Sequence, residues 1–417
     1  MKIIRKGAAL PALAIVAILL AVSCGSSTDG GAPISSTADV SKLGPDNKAT
    51  GAPVKIGFIT EGKTPTIDNS GMEAAANAAA KYANDHLGGI KGRPIEIDLC
   101  QTQGTPAGSA DCASRMINDK VAVVLGATPA APAPIVSALE TAGIPYFIDT
   151  AVDQSAVLSP NTSVLTNTLG FLAAPIVVAQ QNNAKRVAMI IIDVPAAVGP
   201  IKALAEPYFT KAGIEISMVP VPIGTPDMTP QVQAELQKNP DMFVIVGEPA
   251  FCTAGLTALN TLGFDKTKFI NSQCLSPDLH TAVSGGIGGV LVGATSSQDS
   301  SDPEVALYDA AMAKYAPETT AHATATPEGW AIMLALTRAM NGGLTGTDIT
   351  PETVKAAFLA APDQTLPLFG GQTFKCDRSL FKLTPAVCSS AIAVIKMNDD
   401  GSPGATQAID VMPIING

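Results

Sequence analysis

The hydrophobic positions of this chain form short apolar runs, and each run is followed by a longer stretch with helical character. The first unit opens with the β-rich run 54–60. Ser70 and Glu73 then have the spacing of a capping box and open an alanine-rich helix. Gly88-Gly89 would end this helix, because glycine adopts the left-handed conformation of a helix stop. The run 95–99 alternates like a second strand, and two strands joined by such a helix are expected to be parallel.

The same alternation of strand and helix continues along the chain. Continuous apolar runs predict strands that are buried on both faces of a parallel sheet. The strands are predicted at 121–125, 145–148, 164–168, 187–192, 215–221, 242–246, 269–271, 290–294, 374–376 and 391–397. Helices are predicted at 106–120, 133–142, 171–182 (with Pro175 in the first turn), 201–212, 230–238, 253–262, 303–315, 327–340 and 351–360. The pattern predicts an α/β fold built on doubly wound parallel sheets.

The opening unit resembles that of a known family. The strand that begins Val-Lys-Ile-Gly at Val54, the alanine-rich helix, and the turn from Gly88 to Pro94 (Gly-Gly-Ile-Lys-Gly-Arg-Pro) are similar to the start of the type I periplasmic binding proteins. The most similar group is the leucine/isoleucine/valine-binding branch of ABC-importer receptors. The resemblance extends over about residues 54–394. It implies two doubly wound lobes, a three-strand hinge, and a small ligand held between the lobes.

Length and the resemblance together give the expected domain organisation. The 417 residues, 47% of them hydrophobic, are enough for two cores. We expect the N-terminal lobe to comprise residues 54–168 and 297–370, and the C-terminal lobe to comprise residues 169–296 and 371–417. The chain would then pass between the lobes three times.

The N-terminus has the features of a lipoprotein signal peptide over residues 1–23. Lys2, Arg5 and Lys6 precede an uncharged apolar run at 7–22, which is short for a bilayer span. The run ends in Leu-Ala-Val-Ser-Cys, which resembles a bacterial lipobox with Cys24 as the lipidated residue. An uncleaved anchor helix is the alternative, and both interpretations place the protein outside the cytoplasm at the membrane. Residues 24–53 are rich in Gly, Ser, Thr and Pro and are predicted to be a flexible tether.

The charge balance argues against nucleic acid as a partner. The net charge is −10, with 26 basic and 36 acidic residues, so bulk electrostatics would repel a polyanion. Removing residues 1–23 removes three basic residues and no acid, which changes the net charge to −13. The expected partners are a small-molecule ligand, an ABC permease and the membrane, and the protein is expected to be a monomer.

The cysteines suggest an oxidising compartment. With Cys24 lipidated, six remain, and six cysteines allow fifteen pairings. Neighbours along the sequence would pair as Cys100–Cys112, Cys252–Cys274 and Cys376–Cys388, each closing a short loop. No metal or other cofactor is expected, because the chain has no Cys-x-x-Cys and its three histidines are scattered.

Candidate ligand-binding residues follow the predicted strands, because ligands of open parallel sheets bind outside the carboxyl ends of the strands. They are Glu61, Thr128 and Thr150 from the first lobe and Asp193, Glu248 and Gln273 from the second. Of these, Glu61 and Glu248 are the two most expected to face solvent. In amino-acid-binding members of the family, a carboxylate at the position of Gln273 holds the ligand ammonium. A neutral residue there disfavours a free α-amino acid and favours a neutral or apolar solute.

Two other functions are weighed against transport. A sensor that presents its liganded form to a membrane receptor would have the same fold. An enzyme is not expected: the chain has no Gly-x-Ser-x-Gly, its histidines lack acidic neighbours at useful spacing, and nothing favours Glu61 and Glu248 as a hydrolytic carboxylate pair. The glycine run 285–289 is interpreted as a turn and not as a phosphate cradle, and Trp330 as a core residue.

Overall fold

A computed structural model of the chain describes residues 38–415 except 65–67, 127–130, 152–153, 167, 324 and 383. The strands are β1 Val54–Thr60, β2 Ile95–Gln101, β3 Val124–Gly126, β4 Tyr146–Ile148, β5 Thr162–Val164, β6 Arg186–Ile192, β7 Glu215–Val221, β8 Met242–Val246, β9 Thr267–Asn271, β10 Leu291–Ala294, β11 Gln364–Thr365, β12 Thr373–Phe374, β13 Ala391–Met397 and β14 Pro403–Asp410.

The helices alternate with these strands. They are α1 Ser70–His86, α2 Pro106–Asn118, α3 Pro132–Ala142, α4 Gln154–Leu158, α5 Thr168–Gln181, α6 Pro195–Pro200, α7 Glu206–Lys211, α8 Thr229–Leu236, α9 Pro249–Thr261, α10 Leu279–Ala282, α11 Pro303–Tyr315, α12 Thr326–Gly343, α13 Pro351–Ala360 and α14 Met412–Ile415. Short 3-10 helices cover Val40–Leu43 and Ser272–Cys274, and a π-helical turn covers Ile201–Ala205.

Two large sheets organise the described residues, and the predicted α/β class is confirmed. The first sheet is wholly parallel, in the order β2-β1-β3-β4-β5. The second has the order β14-β13-β10-β9-β8-β6-β7, in which β13 runs antiparallel to its neighbours β10 and β14 and all other pairs are parallel. Strands β6 and β8 are almost entirely buried, as expected for parallel strands covered on both faces.

The chain passes between the two sheets three times. It leaves the first sheet after β5, leaves the second after β10, and returns to the second before β13. These three passages are called the first, second and third connecting segments. Between the second and third passes, α11 and α12 pack on α1 in the first lobe. The contact of α12 with α1 needs glycine at Gly329, because a Cβ there would lie 2.0 Å from the Met72 carbonyl oxygen. Trp330 is fully buried beside Tyr82 and Tyr308, so it is a core residue.

The capping box predicted at Ser70 is wrong. The N-cap of α1 is Asn69, which makes no side-chain capping bond. The Glu73 carboxylate instead accepts hydrogen bonds from the Thr60 hydroxyl at 2.6 Å and from the Gln101 amide at 2.8 Å, so it links the ends of β1 and β2. The predicted stop of the helix is present, since Gly88 and Gly89 both have positive φ.

Two predicted helices also differ from the structure, and one strand was not predicted. Helix α5 begins at Thr168, so Pro175 lies inside the helix and not in its first turn. The helix predicted at 201–212 begins earlier, with α6, and contains the π-helical turn. Strand β14 was not predicted, because it is the outermost strand of its sheet and alternates exposed with partly buried positions.

Residues 38–53 form an N-terminal strap on the first lobe and not part of a flexible tether. The Asn47 and Ala49 amides donate to the carbonyls of Asp85 and Asn84 at the end of α1. Leu43 is buried in the main core. A ring nitrogen of His86 lies 3.2 Å from the Pro45 carbonyl oxygen, and its other nitrogen lies 3.0 Å from Lys314 Nζ. The remaining tether residues, 24–37, lie outside the described residues.

All three predicted disulfides are confirmed. Cys100–Cys112 joins β2 to α2, Cys252–Cys274 joins α9 to the 3-10 helix after β9, and Cys376–Cys388 closes the segment that precedes β13. No helix within the described part of the chain is long and apolar enough to span a membrane. The predicted signal peptide and Cys24 lie outside that part.

Candidate functional site

Of the three candidates in the first lobe, two are described. Glu61 follows β1 and is only 4% exposed, so the expectation that it faces solvent is wrong. Thr150 follows β4, and its hydroxyl lies 2.8 Å from that of Thr166 and donates to the Asp149 carboxylate at 2.9 Å. Because β1 and β4 both pair with β3, the structure brings Glu61 and Thr150 to the carboxyl end of the same sheet. Thr128 lies outside the described residues.

Asp149 is a buried acid at this edge that sequence reasoning missed. It is 2% exposed, and burial raises the pKa of its carboxyl to about 6 despite the hydrogen bond from Thr150. Burial also raises the pKa of Glu328 in the first turn of α12, and the charge of Asp149 adds to that effect. The two carboxyls therefore resist being ionised together.

In the second lobe, the three candidates follow neighbouring parallel strands. Asp193 follows β6 and is exposed, Glu248 follows β8 after Gly247, and Gln273 lies in the 3-10 helix directly after β9. The sheet order β9-β8-β6 places all three at the carboxyl end of one sheet. This edge is where parallel sheets present their ligand-binding loops.

Glu248 has a structural task in addition to any contact with a ligand. It is the N-cap of α9, and its carboxylate accepts from the backbone amides of Ala250 at 2.8 Å and Phe251 at 2.9 Å. Each of its oxygens thus accepts a hydrogen bond from one of the unpaired backbone amides at the start of the helix.

Asn271 orients Gln273 and was also missed by sequence reasoning. Its Nδ2 donates to Gln273 Oε1 at 2.9 Å, while its Oδ1 lies 3.5 Å from the Gly247 backbone nitrogen, which donates to it. From the sequence alone, an asparagine at the end of a strand indicates only a turn. The neighbouring Cys274 is fully buried in its disulfide with Cys252.

A cavity lies beside the carboxyl end of β10, in the same sheet as β9. It has a volume of about 280 Å³ and lies where the second and third connecting segments meet β14. Its lining residues are Ser297, Asp299, Ser301, Asp302, Pro303, Phe369, Gly370, Gly371, Thr406 and Ala408. The polar strand ends described above do not line it. Among the residues that the structure describes, no group of three or more His, Cys, Asp or Glu side chains is arranged to hold a metal ion.

Comparisons with known proteins agree on the fold. A family model for periplasmic binding proteins matches residues 53–384. No curated protein sequence matches the chain. An ABC transporter substrate-binding protein from Sphaerobacter thermophilus is similar in structure, with a TM-score of 0.69 and 18% identity, covering 86% of this chain and 98% of that chain.

Two similar structures contain ligands. One is the branched-chain amino acid transporter substrate-binding protein LivJ from Streptococcus pneumoniae in complex with isoleucine, with a TM-score of 0.63 and 19% identity over 86% of this chain and 99% of that chain. The other is a solute-binding protein from R. palustris in complex with 4-hydroxybenzoate, with a TM-score of 0.63 and 18% identity over 87% of this chain and 99% of that chain. At these identities the likeness shows the fold alone.

Proposed function

The chain belongs to the periplasmic binding protein family, and from this premise we propose that it is a lipid-anchored, extracytoplasmic substrate-binding protein of an ABC importer. Its two lobes would close on one small organic solute and deliver that solute to a permease in the membrane. Closure is a population shift that the ligand drives through its contacts with both lobes. No covalent bond of the solute is made or broken.

The observation that supports this function best is the matching arrangement of polar side chains in both lobes. Glu61 and Thr150 lie at the carboxyl end of the first sheet, and Asp193, Glu248 and Gln273 lie at the carboxyl end of the second. A solute between these edges would touch residues that belong to different sheets. The three connecting segments would act as the hinge that brings the edges together.

We propose that the solute is neutral or apolar at the second lobe and is not a free α-amino acid. Gln273, in the 3-10 helix after β9, is uncharged and cannot be the anionic partner of an ammonium. An ammonium enclosed without an anionic partner is costly. The fold itself accepts ligands with and without an ammonium group, since the two similar structures described above contain isoleucine and 4-hydroxybenzoate.

Calorimetric titration and small-angle scattering test this function. The panel contains amino acids, 2-oxo acids, amides, aromatic acids and fatty acids, and each compound that binds is then tested for compaction of the protein. We expect at least one compound to bind with a 1:1 stoichiometry and to reduce the radius of gyration. The recovered ligand should have an unchanged mass. Absence of binding across the panel, or chemical turnover of a bound compound, would contradict the proposal.

The lipid anchor is the part of the proposal that rests on sequence. The small residues before Cys24 support it. In a bacterial host, incorporation of labelled palmitate into the full-length chain and its loss in Cys24→Ser test the anchor. Equal labelling of both proteins would mean that Cys24 is not the lipidated residue.

A further inference from the structure

The third connecting segment contains a loop that is closed by Cys376–Cys388. We call its residues 376–382 and 384–388 the disulfide ring. The ring lies on the outer edge of β5, the last strand in the order of the first sheet. The Val164 amide donates to the Ala386 carbonyl at 2.8 Å, and the Cys388 amide donates to the Val164 carbonyl at 2.8 Å. The end of the ring therefore extends the first sheet by a short parallel bridge.

Side chains also hold the ring on the first lobe. Three of its apolar side chains are at most 3% exposed and lie in the same core cluster as β4 and β5: Phe381, Ala386 and Val387. The Arg378 guanidinium donates to the carbonyls of Ser159 at 3.0 Å and Thr162 at 3.1 Å, around the start of β5. Arg378 has a φ of 65°, a left-handed conformation that is unfavourable for a residue with a side chain, so the contacts of the ring must outweigh this cost.

The link between the ring and the second sheet is short. Strand β13 begins at Ala391, so only Ser389 and Ser390 lie between Cys388 and the second sheet. The Lys375 amide donates to the Cys388 carbonyl at 2.9 Å and closes the neck of the ring. With the ring fixed to β5, a rotation of the second lobe would bend the third connecting segment only at these two serines.

The first connecting segment leaves the first lobe beside this link. Two residues beyond the bridge between Val164 and Val387, we expect Thr166 and Ser389 to be neighbours, because both chains run in the same direction. Thr166 is still bound to the first lobe through its amide, which donates to the Asp149 carbonyl at 2.8 Å. Helix α5, which packs on β13, begins two residues later. The two segments thus leave the first lobe about one strand spacing apart, or about 5 Å.

We propose that the disulfide ring is a hinge clamp. The Cys376–Cys388 bond keeps the ring docked on β5, so the first and third connecting segments bend together and the lobes rotate about one axis. An open segment would sample many undocked conformations, and the disulfide removes most of them. Both cysteines are at most 4% exposed, so the clamp is a permanent part of the fold. Only its effect on ligand affinity rests on the proposed function; the docking of the ring does not.

Opening the ring by the double substitution Cys376→Ser and Cys388→Ser tests the clamp. The matched control is Cys100→Ser with Cys112→Ser, because both disulfides span a sequence separation of 12 residues and so constrain the unfolded chain alike. The control bond lies at β2, on the opposite edge of the first sheet. Native-state hydrogen exchange at Val164 and at residue 388 is the measurement. We expect both amides to exchange at least about tenfold faster in the open-ring variant and at the native rate in the control.

Arg378→Ala gives a second test that keeps all disulfides, in case the open-ring variant does not fold. It removes the guanidinium that bridges two carbonyls before β5, so we expect faster exchange at Val164. Arg186→Ala is its control, because Arg186 Nε donates to the Asn239 carbonyl at 2.7 Å in the second lobe. Native exchange rates at Val164 in both ring variants, or equal acceleration in the controls, would overturn the inference.

Any solute that binds in the calorimetric panel then tests the effect on closure. In the open-ring variant the ligand must also order the freed segment, so we expect binding at least about threefold weaker than in the native chain and in the Cys100/Cys112 control. Equal affinity of all three proteins would overturn the link between the clamp and closure. If no compound binds, the proposed function fails, while the exchange rates still decide whether the clamp exists.

Discussion

Asp149 is the residue whose environment differs most from what its position in the sequence suggests. Burial raises the pKa of its carboxyl from 3.8 to about 6. A carboxyl with a raised pKa binds more protons in the folded state than in the unfolded state. Its contribution to stability is therefore favourable at low pH and is lost as the pH rises from about 4 through 6. Above that range the ionised form is buried at a cost of up to about 3 kcal/mol.

Asp149→Asn should consequently stabilise the protein at neutral pH. Asparagine keeps an acceptor for the Thr150 hydroxyl and has no charge to bury. We expect a melting temperature several degrees higher than that of the native chain at pH 7.5, and no difference near pH 3.5. Thermal unfolding followed by circular dichroism measures both. Asp193→Asn, at the exposed acid after β6, should change neither; a lower melting temperature of Asp149→Asn at pH 7.5 would refute the account.

At the residue scale, the sequence predicted positions better than it predicted roles. Gln273 and Thr150 could be selected because polar residues after buried strands lie at the ligand-binding edge. The electrostatic repulsion between Glu328 and Asp149 could not be predicted from the sequence, because it links a helix to a strand end far away in the chain. The capping role of Glu248 was missed because glutamate is not among the favoured N-cap residues.

At the element scale, the N-terminal strap is the clearest departure from the sequence prediction. Its composition is that of a linker, but its backbone is hydrogen-bonded to the end of α1 and its one buried side chain, Leu43, is 4% exposed. A single buried anchor among polar residues has no periodicity, so no pattern rule detects it.

Leu43→Ala should therefore destabilise the protein by about 2 kcal/mol or more, the usual cost of removing a buried leucine. Val40→Ala is a matched control in the same 3-10 helix, because Val40 is 56% exposed and should cost less than about 0.5 kcal/mol. Urea unfolding measures both free energies. Equal effects of the two substitutions would show that the strap does not contribute to the folded core.

The elements that were predicted accurately share a physical property. Strands β6, β8 and β13 have long apolar runs that are mostly buried, and their bounds agree with the prediction to within one residue. Strand β14 could not be found in this way, because half of its positions face solvent and it begins at Pro403. Hydrophobicity identifies buried strands, whereas an outer strand is defined by its partner.

At the scale of the whole molecule, Asp302 connects two of the three segments that join the lobes. Its carboxylate caps α11 by accepting from the Glu304 amide at 2.9 Å, and it also accepts from the Gly370 amide at 2.7 Å. The second and third connecting segments are therefore tied together at this point, next to the cavity described above. Movement of one segment should be transmitted to the other.

Asp302→Ser should break this tie and keep the helix cap, because serine is a good N-cap but its hydroxyl is too short to reach Gly370. We expect faster hydrogen exchange in peptides that contain Gly370 and unchanged exchange in peptides from β6 and β8. A loss of stability of about 1 kcal/mol should accompany the change. Exchange at Gly370 that remains as slow as in the native chain would mean that Asp302 does not hold the third segment.

The three disulfides also determine how the chain can mature. The six described cysteines pair in order along the chain, at separations of 12, 22 and 12 residues. If Cys24 is lipidated, a polypeptide that emerges N-terminus first into an oxidising compartment would bring each cysteine to its correct partner before any other of these thiols appears. Closing such short loops is also fast. Correct connectivity is then the default outcome of vectorial synthesis, and a dedicated isomerase would have little to repair.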